Sequence, residues 1–173
     1  MLRKEIRTPN EDMLEQAFQI VMLKGHFDQP FTVADKLNGI ISELIEYWKS
    51  DIRIDSGGYE AQNFTDTQEC ELIDAYTRIV NLAKFMGIEV GVEYRKPSIT
   101  HRSIVKHSFV STNIYRLSSV PESDINDRGE VFVRTLNEVV QDIYNWFYYY
   151  QIDMDDIFVR KLQINARRKY LHK

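Results

Sequence analysis

Apolar residues recur along this chain at steps of three and four, the spacing that gives an α-helix one continuous apolar face. Met13, Leu14, Phe18, Ile20, Val21 and Met22 fall in a segment that Asn10 or Glu11 opens and Gly25 closes. Thr32, just after the helix-breaking Pro30, is placed to cap a helix over 33–51 with the stripe Val33, Leu37, Ile41, Leu44 and Trp48. Residues 51–67, with Gly57 and Gly58, read as a loop, and Thr65 or Thr67 then caps a helix over 68–87 that Gly87 ends. After a turn at Pro97, the stretch 99–118 offers Ile104, Val105, Phe109, Val110, Ile114 and Leu117 to a core. A second loop at 120–130 leads to a helix over about 130–150, dense in Tyr144, Trp146, Phe147, Tyr148, Tyr149 and Tyr150, and a last helix runs from near Asp153 to Arg168. Only seven Gly and four Pro in 173 residues favour long helices over many turns, so the pattern predicts an all-α bundle of about six helices.

The 68–87 helix stands apart from the others. Its main stripe is Leu72, Tyr76, Ile79, Ala83 and Met86, but Leu82 and Phe85 fall on the side that carries Glu71, Asp74 and Arg78. A helix apolar nearly all round is buried, so its acids are expected to face an interior or a cleft. The preceding helix carries Glu43 and Glu46, again three apart, and at about 100° per residue each pair lies within about 60° on one face. If the two faces pack together, four carboxylates converge, each close pair repelling by roughly 3 kcal/mol at ~5 Å and an effective dielectric near 20. A cation relieves that repulsion, and oxygen-only ligands favour a hard ion, Mg2+ with Mn2+ as a substitute. A solvated acidic face is the plainer reading of any single pair. Gly39, one turn before Glu43 and with Ser42 and Ser50 nearby, either leaves room for a ligand or makes a packing contact.

The stretches SELIEYW at 42–48 and ELIDAYTRIVNLAKFMGIEV at 71–90 resemble the MazG-like, all-α nucleoside triphosphate pyrophosphohydrolases. The signature of that family, ExxE, a variable gap and ExxD, is matched by Glu43, Glu46, Glu71 and Asp74. The resemblance covers roughly residues 12–90 and the extreme C-terminus, where KLQINARRKYLHK is similar to the tail of phage-type members at Lys161, Asn165, Arg168, Tyr170 and His172. The glycines that follow the His in that family are missing here. The resemblance implies hydrolysis of a nucleoside or deoxynucleoside triphosphate between the α- and β-phosphates, giving a monophosphate and pyrophosphate. The four acids would be both the Mg2+ ligands and the catalytic residues. Lys49 and Arg78 are candidates for phosphate contacts and Asn81 for sugar or base, or each neutralises nearby acids. Lys161, Asn165 and Arg168, at steps of four and three, share one face from which they reach phosphate oxygens, or form a solvated basic helix end. Two alternatives stand beside this reading: a dimeric-type dUTPase or dCTPase of the same superfamily, and a catalytically inactive helical scaffold or nucleotide-sensing protein. The intact acids argue against the second.

A net charge of −4 and a pI near 5.6 give no global basic field for a nucleic-acid backbone. Cys70 stands alone, so neither an intramolecular disulfide nor a thiolate cluster is expected, and it reads as a packing residue in a reducing compartment. No apolar run reaches ~18 residues and the first residues lack an apolar signal core, so neither a membrane span nor a secretory peptide is expected and the default location is cytoplasmic. His101 and His107 are about 240° apart on a helix and do not form the i,i+4 pair of a helical zinc site.

The length suits a single domain over 1–173, with a catalytic half at 11–90 and a second half at 98–173 that includes the C-terminal helix. The helix–loop–helix order after 98 echoes that before it, as a degenerate duplication would, although such units also look alike without common descent. Aligned this way, Glu138 falls opposite Asp74, Thr135 opposite Glu71 and Ser111 opposite the ExxE acids, so the second half lacks the quartet. MazG-like proteins commonly work as dimers; a tandem chain would mimic that within one polypeptide, and a homo-oligomer stays open.

Overall fold

The reasons these segments are helical are visible at their ends. The computed structural model describes residues 6–28, 30–50, 61–92 and 105–168; Gly57, Gly58, Pro97, His101, Tyr170, His172 and the start at 99 expected for the fourth helix lie outside the described residues. In α1 (Glu11–Leu23) the Asn10 side chain accepts the Met13 N–H at 3.0 Å. In α2 (Val33–Lys49) the Thr32 hydroxyl accepts the Asp35 N–H at 3.1 Å and the Asp35 carboxylate accepts the Thr32 N–H at 2.8 Å, a reciprocal capping box. A 3₁₀ turn (Ala61–Asp66), inside the stretch expected to be loop, leads into α3 (Gln68–Met86). Thr67 occupies the N-cap position, yet its hydroxyl donates to the Phe64 carbonyl at 3.1 Å instead of capping the helix. Gly87, at φ 67°, ends α3 in the left-handed conformation that spares glycine any Cβ clash.

Three further long helices follow, α4 (Lys106–Ser118), α6 (Glu130–Tyr150) and α7 (Met154–Arg167), together with a short α5 (Glu122–Asn126) inside the expected second loop. That short turn starts α6: the Asp124 carboxylate accepts the Phe132 N–H at 2.5 Å, one of the donors a helix start leaves without an intrahelical partner. A Cβ on Gly129 would meet Asp124 Oδ1 at 2.2 Å, so a side chain there would displace the capping carboxylate. All regular structure among the described residues is helical, as the apolar spacing predicts, and none of these helices is long and apolar enough to cross a membrane.

Four helices close a ring, α2 on α3, α3 on α6, α6 on α4 and α4 on α2, while α1 and α7 pack on α3 and on each other. Tyr47 of α2 ties three of the ring helices together: its ring meets Phe109 of α4 and Trp146 of α6 edge-on, at 5.4 and 6.0 Å, and its hydroxyl accepts the Trp146 indole N–H at 2.9 Å. This contact corrects the stripe expected for α2. Its buried face is Leu37, Ile40, Leu44 and Tyr47, whereas Val33 and Ile41 are only partly buried and Trp48 is 47% exposed. The burial of Tyr47 and Ile40 turns the helix toward its acidic side and brings Glu43, expected on the opposite side, to the edge of the core. In α4, Phe109, Val110 and Leu117 are buried as expected, but Val105 lies before the first turn and is exposed.

The segment before α1 fixes the start of α7. The Arg7 carbonyl accepts the Met154 N–H at 2.9 Å, and the Asp153 carboxylate accepts the Arg7 N–H at 2.8 Å. The Arg7 guanidinium reaches Asp153, Asp155 and Asp156 at 3.2, 3.2 and 2.9 Å. These bonds satisfy a helix start that has no side-chain cap of its own.

Tyr47→Phe is expected to lower stability by about 1–3 kcal/mol, because it strands the buried indole N–H of Trp146. Urea unfolding followed by tryptophan fluorescence measures the loss; an unchanged midpoint would contradict a structural role for this bond.

Candidate functional site

The turn of α2 lines Lys36, Gly39, Glu43 and Glu46 along one edge, and the same steps of three, four and three place Glu71, Asp74, Arg78 and Asn81 along α3. Both edges, with α7 and the end of α1, wall a cavity of about 500 Å³. All four acids line it. Carboxylate oxygens of Glu43, Glu46 and Glu71 lie within 4.8 Å of one another. Six oxygens about 2.1 Å from an octahedral ion span up to about 4.2 Å, so this spacing fits a hard divalent cation after small adjustments.

Asp74 stands apart from that trio, its Oδ2 held by Lys161 Nζ at 2.5 Å. Glu43 Oε1 accepts Arg78 Nε at 2.6 Å and lies 2.5 Å from Nη2. Two of the four acids therefore carry a protein cation, while Glu46 is exposed and Glu71 is buried. Burial pushes the Glu71 carboxyl up to about 8; Lys161 opposes the shift, and Asp74, Glu43 and Glu46 add to it. Burial also raises Glu43, against the pull of Arg78, and raises Asp74, against the pull of Lys161.

Lys161, 2% exposed, Asn165 and Arg168 line the cavity from α7, and Arg78 and Asn81 line it from α3. Lys49 does not. Six residues past Glu43, it is about 120° round the helix from that side chain and sits exposed at the end of α2. Asn81 is buried and lines the cavity, and its Oδ1, itself shielded from solvent, has no hydrogen-bond partner among the described residues. The space beside Gly39 is taken by protein: a Cβ there would lie 3.0 Å from Arg78 Nη1, so the glycine admits the guanidinium that reaches Glu43.

Sequence reasoning missed Lys24, Phe27 and Lys36. Lys36 lies seven residues before Glu43, two turns along the same edge, and that spacing was a usable signal. Lys24 and Phe27 sit at and just beyond the end of α1, where no periodicity points inward. In the second half, Arg116 of α4 reaches Glu138 at 3.1 Å and Asp142 at 2.5 Å, so these acids of α6 are neutralised by a facing arginine. His107 packs against Trp48 with ring centroids 5.4 Å apart. Cys70 is fully buried, its thiol pushed up to about 12 by burial, as suits a packing residue.

No family model, curated protein or solved structure matches this chain.

Between the ordinary carboxyl value of 4.5 and about 8, the folded protein keeps a proton on Glu71 that the unfolded chain has released. Stability of the metal-free protein is then fully present below about pH 4.5 and is lost as the pH rises through 8, with Glu43 and Asp74 shifting in the same direction. Denaturant unfolding in EDTA should show a fall of about 1–3 kcal/mol from pH 6 to 8.5, and Glu71→Gln should flatten it. A wild-type stability that rises over this range would contradict the buried carboxyl.

Proposed function

We propose that this chain is a MazG-like nucleoside triphosphate pyrophosphohydrolase acting in the cytoplasm, with Mg2+, or Mn2+ in its place, as cofactor. The observation that carries the reading is the convergence of Glu43, Glu46 and Glu71 in one cavity, with Asp74 beside them. Glu43, Glu46 and Glu71 would hold the ion, and Asp74 would join them on leaving Lys161. The ion supplies charge neutralisation of the phosphates and activation of a water.

The remaining work falls to the side chains. A carboxylate of the set orients the attacking water and takes its proton as the water oxygen bonds to the α-phosphorus. The bond from that phosphorus to the αβ-bridging oxygen breaks, and pyrophosphate leaves. Lys161 and Arg78, released from Asp74 and Glu43 as positive charge enters, turn their donors to phosphate oxygens. Asn81, at the cavity wall, would turn its side-chain amide to the sugar or the base.

Incubation with each common NTP and dNTP plus Mg2+, with products resolved by chromatography, tests the reading. Monophosphate and pyrophosphate are expected, with turnover stopped by EDTA; diphosphate and orthophosphate would overturn the assigned bond. Glu46→Gln and Asp74→Asn should each abolish turnover in folded protein.

The two halves should contribute unequally. Replacing Glu138 and Asp142 together by Gln and Asn is expected to cost less than tenfold in kcat/KM, about 1.4 kcal/mol, whereas Glu71→Gln should cost at least about a hundredfold. Equal losses in folded proteins would mean that the active site draws on both halves.

A further inference from the structure

The cavity holds three cations that the acids do not explain. Lys24, Lys36 and the exposed Arg168 line it; among the described residues none of the three forms a salt bridge with a carboxylate, although Asp35 acts on Lys36 and Arg168 on Asp74 through space. Lys24 is 9% exposed, and its ammonium donates to the backbone carbonyl of Asn165. The Lys36 ammonium donates to the His26 carbonyl at 2.5 Å and stands 4.6 and 4.2 Å from the ring centroids of Phe27 and Phe31. Neutral carbonyls and ring faces thus substitute for an anion. Burial pushes both ammonium groups below the ordinary lysine range; Arg168 beside Lys24 and Arg78 beside Lys36 push them further, and Asp35 partly opposes the shift of Lys36. Desolvated cations that repel one another are costly to the folded chain unless an anion enters. Glu43 and Asp74, on the same cavity, already hold Arg78 and Lys161, and the Asp35 carboxylate beside Lys36 is engaged by the Thr32 cap.

We propose that Lys24, Lys36 and Arg168 form a binding site for a pyrophosphate group, which the cavity takes up without a metal ion. Several cations lining one cavity suit an anion with charge on two linked phosphates better than a single orthophosphate. In the nucleotide reaction, on whose reading this role rests, these cations grip the β- and γ-phosphates, so they select triphosphates over monophosphates and make inorganic pyrophosphate a competitive product inhibitor.

Titration calorimetry of the whole chain with inorganic pyrophosphate in EDTA tests the site. Wild type should bind pyrophosphate at least tenfold more tightly than orthophosphate. Lys24→Met and Lys36→Met should each weaken pyrophosphate binding at least tenfold, while Arg134→Gln, which removes one positive charge outside the cavity, should not. Circular dichroism and thermal melting establish that each variant is folded; if one fails to fold, the other decides. In turnover with Mg2+, Lys36→Met should raise KM for the triphosphate with kcat within about threefold. Absence of pyrophosphate binding in EDTA, or equal affinity in wild type and the folded lysine variants, overturns the proposal, and turnover of nucleotides in that case leaves the hydrolase reading standing. Lysine-dependent pyrophosphate binding without hydrolysis of any nucleotide upholds the anion site and sinks the hydrolase reading instead.

Discussion

Four carboxylates brought to one edge of two packed helices repel one another, and the protein tolerates them only because two cations from different directions answer them. Arg78 spans from α3 to Glu43 of α2, and Lys161 enters from α7 to hold Asp74. Removing either cation leaves a partly buried carboxylate without its partner, which costs far more than the pair contributes in net terms. The helix arrangement and the charge arrangement are therefore one problem: α3 can lie buried at the centre, against the acidic edge of α2, only if α7 brings a cation to Asp74 and its own Arg78 answers Glu43.

That requirement accounts for several features that otherwise look unrelated. The missing side chain at Gly39 makes room for the Arg78 guanidinium between α2 and α3. The start of α7 is fixed by Arg7 through the carboxylates of Asp153, Asp155 and Asp156, so the helix presents Lys161 near its middle at the height of Asp74. The burial of Tyr47 against Trp146 and Phe109 sets the rotation of α2, and with it the depth of Glu43. A ligand cation would replace the protein cations at the acids and free Lys161 and Arg78 for an anion, so the resting ion pairs and the proposed bound state use the same side chains. The second half shows the contrast: Glu138 and Asp142 on α6 both pair with Arg116 of the facing helix, so one arginine answers both acids.

The sequence by itself determined the helices, because apolar spacing and cap chemistry are local. Asn10, Thr32 with Asp35, and Gly87 each bond or bend within a few residues of their own position, and helix α3 declares its burial by being apolar on nearly every side. The acidic edges of α2 and α3 were legible for the same reason, since steps of three and four fix which side chains share a face. Tertiary structure alone decided how far each helix turns about its axis and what meets its polar edge. Whether Glu43 lies in the core or in solvent depends on Tyr47 finding the Trp146 indole 99 residues away. Whether Asp74 is a free ligand or a salt-bridge partner depends on Lys161 of a helix that begins 80 residues later. Lys24 enters the cavity because the end of α1 packs beside α7, and Lys49 leaves it because α2 has turned too far by then. Charge pairing and burial act across the chain between residues remote in sequence, and a local pattern carries no record of which remote side chain will arrive.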